Sequence, residues 1–118
     1  MRPLRAKSAI SIGLVSGLLS LGTTVFAETQ WEKEHPRRDQ VNDRLENQNR
    51  RIHEGVEEGQ LTPQEAHKLH REDRAIRGQE RRYARRHHGH ISKREQAKLN
   101  REENAVSHQI HEERHDGQ

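Results

Sequence analysis

A seven-residue pattern is written twice in this chain, thirty residues apart: Gly59-Gln60-Leu61-Thr62-Pro63-Gln64-Glu65 returns as Gly89-His90-Ile91-Ser92-Lys93-Arg94-Glu95. The correspondence runs on through Lys68-Leu69 and Lys98-Leu99, Arg71-Glu72-Asp73 and Arg101-Glu102-Glu103, and Ala75-Ile76 and Ala105-Val106. In each copy a glycine closes one helix, and Thr or Ser with Glu three residues later carries the signature of a capping box for the next. Pro63 suits the first helical position of the first copy. A repeat whose unit is a turn plus a helix specifies stacked helical hairpins. No segment alternates as a strand would, so the expected fold class is all-α: three helices in two linked hairpins.

The apolar spacing places those helices. Val41, Leu45, Ile52 and Val56 fall on one stripe of a helix expected from Asp39 to Glu58, which Gly55 weakens and Gly59 ends. Ala66, Leu69, Ile76 and Tyr83 form the stripe of the second helix, where Asp73 and Glu80 interrupt the heptad with charge. Leu99, Val106 and Ile110 form the third. Residues 28–38, with Trp31, His35, Pro36 and mixed charge, read as an irregular lead, and 39–118 as the helical repeat domain.

Residues 1–27 read as a secretory leader. Arg2, Arg5 and Lys7 make a positive start, Ser8 to Leu21 carries no charge, and Val25-Phe26-Ala27 presents small residues where signal peptidase reads. The apolar run is shorter than the roughly 20 residues a spanning helix needs. Cleavage after Ala27 and a periplasmic or secreted location are therefore expected. The three leader cations account for the whole formal charge of +3, so the remainder is neutral and the basic isoelectric point says little about partners. With no Cys, export brings no disulfide and no thiolate metal site.

Beyond the leader only 11 residues are Leu, Ile or Val, with one Trp and one Tyr. That is about 12% aliphatic, well below the roughly 20% of ordinary folded chains. A thin, marginal bundle is expected, alone or as a homodimer. Net charge alternates along it: residues 28–58 carry −3, 71–94 carry +6 and 95–118 carry −3. An acidic, basic, acidic succession suits antiparallel packing with the second helix between its neighbours.

All ten His lie beyond the leader. His108, His111 and His115 recur at i, i+3 and i+7, His67 and His70 are an i, i+3 pair, and His87, His88 and His90 cluster at the second turn. Imidazole ligands without thiolate or thioether suit Zn²⁺, Cu²⁺ or Ni²⁺, so these eight are the candidate metal ligands and divalent metal ions the first expected partner. No other cofactor is indicated. Ten imidazoles also imply an acid response, the neutral chain moving towards about +10 as pH falls through about 6.5.

Other motifs are weaker. His111-Glu112-Glu113-Arg114-His115 fits the zinc-protease pattern, but only three residues follow it here and a thin core cannot enclose a substrate cleft, so no enzyme activity is expected. The repeat resembles the second half of a calcium loop, yet the second copy would offer Ala84, Arg86 and His88 where oxygen ligands belong. Arg71, Arg74, Arg77, Arg81, Arg82, Arg85 and Arg86 line the second helix. In an exported chain they would meet an acidic protein or an anionic envelope surface rather than nucleic acid. Because the segment charges cancel, the sequence favours acidic helices covering them.

The stretch from Asn42 to Glu113 resembles small exported proteobacterial proteins with tandem Gly-x-Leu-Thr-x-x-Glu-Ala helical repeats. Gly59 to Ala66, Lys68-Leu69 and their echo from Gly89 to Leu99 carry the resemblance, and the echo departs from it at Ile91, Ser92 and Gln96. It implies a helical fold and an envelope compartment, and it assigns no catalytic residue. The functional expectation is a non-enzymatic periplasmic His-rich protein that binds divalent transition metal. The alternative is an envelope stress or interaction protein using the basic face of the second helix.

Overall fold

The computed structural model describes residues 27–116, so the expected leader lies outside the described residues apart from Ala27. Within them the chain is all-α. A single turn of helix, α1 (Gln30–Glu34), precedes three long helices: α2 (Pro36–Glu57), α3 (Pro63–Arg86) and α4 (Lys93–His115). Each of the long helices packs on both others, so they close a three-helix bundle rather than a row with α3 in the middle.

The lead is not irregular. Thr29 Oγ1 accepts from Glu32 N at 3.1 Å, and Thr29 N donates to Glu32 Oε2 at 2.8 Å. This is the same capping box that opens α3 through Thr62 and Glu65 and α4 through Ser92 and Glu95, with the same pair of distances. Pro36 does break the helix, but by becoming the first residue of α2, where its missing N–H costs nothing. That helix therefore starts three residues before the expected Asp39.

The repeated glycines act as expected. Gly59 and Gly89 have φ of 73° and 95°, a left-handed conformation that costs a side-chain-free residue little. Leu61 and Ile91, the apolar residues two positions later, turn inward and are buried, plugging opposite ends of the bundle. Arg114 ties the C-terminal end of α4 to the first turn, donating to Gln60 Oε1 at 2.5 Å, Glu58 Oε1 at 2.6 Å and Arg51 O at 3.2 Å.

The core contains Val41, Leu45, Ile52, Leu61, Ala66, Leu69, Ile76, Ala84, Ile91, Leu99, Val106 and Ile110, with Tyr83 packed half-buried against it. Val56 is not part of it: it is 40% exposed, and Gly55 takes the inward place beside Leu61. Three acids and an amide complete the buried face, namely Asp73, Glu80, Glu103 and Gln48.

The repeat has a spatial counterpart. Gln79 donates to Glu102, and thirty residues on Gln109 donates to Glu72 at 3.2 Å. Each contact is the other's image when the two copies exchange places. Antiparallel helices carrying the same sequence pattern produce this when their midpoints coincide, so α3 and α4 are related by a local pseudo-twofold axis. Ala75 with Ala105 and Ile76 with Val106 line the shallow groove over it.

Candidate functional site: an arginine ridge and a buried acidic layer

The exposed side of α3 carries a line of cations. Arg71, Arg74, Arg81 and Arg85, with Gly78 between, follow the 3, 4, 3, 4 spacing of one helical face, which His67 and His88 extend at either end. The line from Arg71 to Arg85 is about 21 Å long at the α-helical rise. Arg82 and Arg86 stand beside it, Arg86 over the Tyr83 ring at 5.7 Å. All six arginines are exposed. Among the described residues, none of the six has a carboxylate oxygen within 4.0 Å. The acidic helices do not cover this ridge, which corrects the expectation from charge cancellation. Their acids are spent elsewhere: on capping boxes, on cross-helix pairs, and around the start of α2, where burial and then Asp43, Glu32, Glu28 and Glu46 raise the Asp39 carboxyl. Near its C-terminal end the ridge opens into a groove of about 360 Å³ lined by Arg38, Arg81, Ala84, Arg85 and Gly89.

The inward side of α3 is acidic. Glu80 is buried and paired with Arg38 of α2, whose guanidinium also donates to Gly89 O at 3.0 Å and lies 5.3 Å from the Trp31 ring. At mid-bundle Asp73 and Glu103 are 3% and 0% exposed. Among the described residues, neither oxygen of either carboxyl has a hydrogen-bond partner. Burial, reinforced by Glu72, pushes Asp73 up to about 7 against the pull of Arg77. Burial and the Asp73 charge push Glu103 up to about 7 against Arg44 and Arg77. The nearest cation to Glu103 is Arg44, at 3.6 Å. Gln48 of α2 donates to Glu103 O at 2.6 Å and leaves its own Oε1 unpartnered.

The histidines are dispersed. His108 sits 3.2 Å from Glu112 on the exposed side of α4. The His111 and His115 rings lie with centroids 4.4 Å apart, tilted by 38°, and His115 Nδ1 contacts His111 O at 2.6 Å. His67 is exposed, while His70 is half-buried against Asn49 Oδ1 at 3.1 Å. Burial lowers the His70 pKa, as do Arg74, His53 and His67. His87 pairs with Glu95 at 3.2 Å, and His88 is exposed in the left-handed region at φ 55°. His90 stacks on His35 at 4.6 Å, which in turn stacks on Trp31 at 4.7 Å, pinning α1 to the second turn. Among the described residues, no three of His, Asp and Glu come together in a way that could hold a metal ion. Glu65, which falls where a calcium loop places its last carboxylate, accepts from Thr62 N with Oε1 in its own cap.

Comparison with protein-family models, curated proteins and solved structures finds no match. The reading of this site therefore rests on its own geometry. Two of its features were hidden in the sequence. Asp73 and Glu80 read as interruptions of a seam, and Glu103 as a repeat position with no inward role. The signal that finds them is positional: 69, 73, 76, 80 and 99, 103, 106, 110 keep the inward 4, 3, 4 spacing whatever residue fills them.

Proposed function

We propose that this is a non-catalytic envelope protein whose α3 ridge binds a surface dense in phosphate, such as an anionic lipid headgroup layer. The observation that carries the reading is the row of six exposed arginines without carboxylate partners. A folded chain with equal numbers of acids and bases beyond its leader could neutralise such a row internally, and this one does not. The ridge is straight and interrupted only by Gly78, with no large apolar side chain along it. It suits a flat, repeated anion better than an enclosed ligand. Guanidinium groups bind phosphate oxygens in pairs, which favours Arg over Lys at such a surface. Each basic residue near an anionic bilayer contributes about 1 kcal/mol, so six could supply about 6 kcal/mol at low salt.

A periplasmic or secreted location belongs to this proposal and rests on the leader pattern. The divalent-metal reading has less geometric support, because its eight histidines are scattered over two helices and a turn. The decisive measurement is co-sedimentation with vesicles of phosphatidylglycerol and of phosphatidylcholine at low and high salt. We expect binding to the anionic vesicles alone, lost as salt screens the ridge. Arg81→Glu with Arg85→Glu should weaken it by about a hundredfold or more. Equal binding to both vesicle types, or none to either, would remove the proposal.

A further inference from the structure

The acidic pair at mid-bundle is not part of the ridge, and its one cross-helix contact is the 3.6 Å approach of Arg44 to Glu103. Asp73 is the eleventh residue of α3 and Glu103 the eleventh of α4. They are equivalent positions of the repeat and lie on opposite sides of the pseudo-twofold axis, offset along the bundle by about 7 Å at the helical rise, near enough for the Asp73 charge to raise Glu103. Facing them from α2 are Arg44, Gln48 and Asn49; from α3, His70, Glu72, Arg74 and Arg77; and from α4, Glu102. An opening of about 370 Å³ lined by Leu45, Asn49, His70, Asp73, Arg74 and Arg77 reaches mid-bundle from the α2–α3 side. The charges around the pair do not satisfy it. Four carboxyl oxygens have no donor among the described residues, and the nearest guanidinium to Glu103, that of Arg44, stands beyond hydrogen-bond length. A buried carboxylate without a donor is costly as an anion and far less so as a neutral acid.

We propose that Asp73 and Glu103 form a proton-binding site in the core, filled when the bundle folds and emptied when it unfolds. The two acids titrate as a linked pair, because each anion disfavours the other. Folding then takes up protons across the window between ordinary carboxylate values and about 7, where both groups titrate in the folded chain. In that window the folded state holds more protons than the unfolded one, so stability falls as pH rises and is lowest above about 7. Half-buried His70 acts in the opposite sense: its lowered pKa removes stability as pH falls below about 6.5. The opening beside Asp73 supplies a route for the proton, and the device does not depend on the ridge or on any ligand.

The test is urea unfolding of the full chain, followed by helical circular dichroism, from about pH 8 to about pH 5. The parent protein is compared with Asp73→Asn, Glu103→Gln and the double variant. Each proton linked to folding changes the folded-to-unfolded ratio by up to about tenfold per pH unit. The double variant should therefore be the more stable protein at about pH 8 and lose that advantage by at least about tenfold towards pH 5. Contributions from His70 are common to all four proteins and cancel in the comparison. Parallel pH profiles for parent and double variant would overturn the proposal. Carboxyl-carbon NMR of the unsubstituted protein checks it without any variant. Two coupled midpoints near neutral pH are expected, and midpoints for both groups in the ordinary range of about 4 would overturn it.

Discussion

Arg38→Met isolates the buried acid whose carboxylate is hydrogen-bonded to a cation. Glu80 is 1% exposed, and the Arg38 side chain that neutralises it is 18% exposed. Removing the cation leaves a buried, uncompensated carboxylate, a change that costs about 3–5 kcal/mol. The hydrogen bond to Gly89 O and the contact with Trp31 are lost as well. A bundle with so few aliphatic residues sits near the lower end of the usual 5–15 kcal/mol, so Arg38→Met should be close to unfolding at room temperature. Replacing both partners reverses the sign of the argument. Arg38→Met with Glu80→Leu exchanges an ion pair for apolar surface of similar volume, which is typically neutral or stabilising. In urea unfolding followed by circular dichroism, the double variant should recover most of the lost stability. The coupling between the two sites should be about 2 kcal/mol or more, within the range for residues in direct contact. The reasoning fails if Arg38→Met unfolds within about 1 kcal/mol of the parent, or if the double variant is no more stable than Arg38→Met alone.

Three further substitutions are decided by local geometry. A Cβ at Gly55 would lie 2.7 Å from Leu61 Cδ1 and 2.9 Å from its Cγ, and Leu61 is buried with nowhere to move; one at Gly78 would meet only the tip of Arg82, at 3.5 Å. Gly55→Ala should therefore destabilise by about 1–3 kcal/mol through overpacking, whereas Gly78→Ala should gain about 0.5–1 kcal/mol from helix propensity, and opposite shifts of the thermal midpoint would show both. His88 holds φ at 55° in the second turn, so His88→Gly should raise stability by about 0.5–1 kcal/mol in a urea titration, and an unchanged midpoint would show that the turn carries no strain.

What the sequence disclosed depended on whether a feature is local. Thr62 with Glu65 and Ser92 with Glu95 read correctly because a capping box is complete within four residues. Thr29 with Glu32 carries the same signature, and Pro36 close behind it obscured a helix of a single turn. The inward stripes were legible where aliphatic residues marked them. They failed where chemistry and position disagreed, with Val56 outward and Gly55 inward, and with Asp73, Glu80 and Glu103 in the core. A polar residue at an inward position is recognisable only once its partner is known, and Arg38 lies 42 residues from Glu80. The histidines show the converse. Their number is plain in the sequence, but whether three converge depends on how helices pack, and among the described residues none do. Exposure of the arginine ridge was equally non-local, because charge summed over a segment does not say which carboxylates a cap or a glutamine has already taken.

The same buried charges explain how so thin a core selects one arrangement. Leu and Ile along α3 and α4 would pack nearly as well if one helix slid by a heptad, and a repeated sequence makes such slips easy to satisfy. Sliding α3 against α2 by one heptad would separate Glu80 from Arg38 and seal an unpaired charge among aliphatics, at about the 3–5 kcal/mol estimated for breaking the pair. Sliding α3 against α4 would break the Gln79–Glu102 and Gln109–Glu72 contacts together, since the pseudo-twofold axis makes them one registration. The mid-bundle acids add a cost to every arrangement that buries them as anions, the native one included. A rise from 3.8 to about 7 at Asp73 corresponds to an upper bound of about 4 kcal/mol when the group is ionised. Keeping that cost in a bundle with little stability to spare is intelligible if titration of the pair is itself useful. In the envelope location proposed above, the bundle would meet the external pH directly, and a core that tightens as protons bind would couple its stability to that pH.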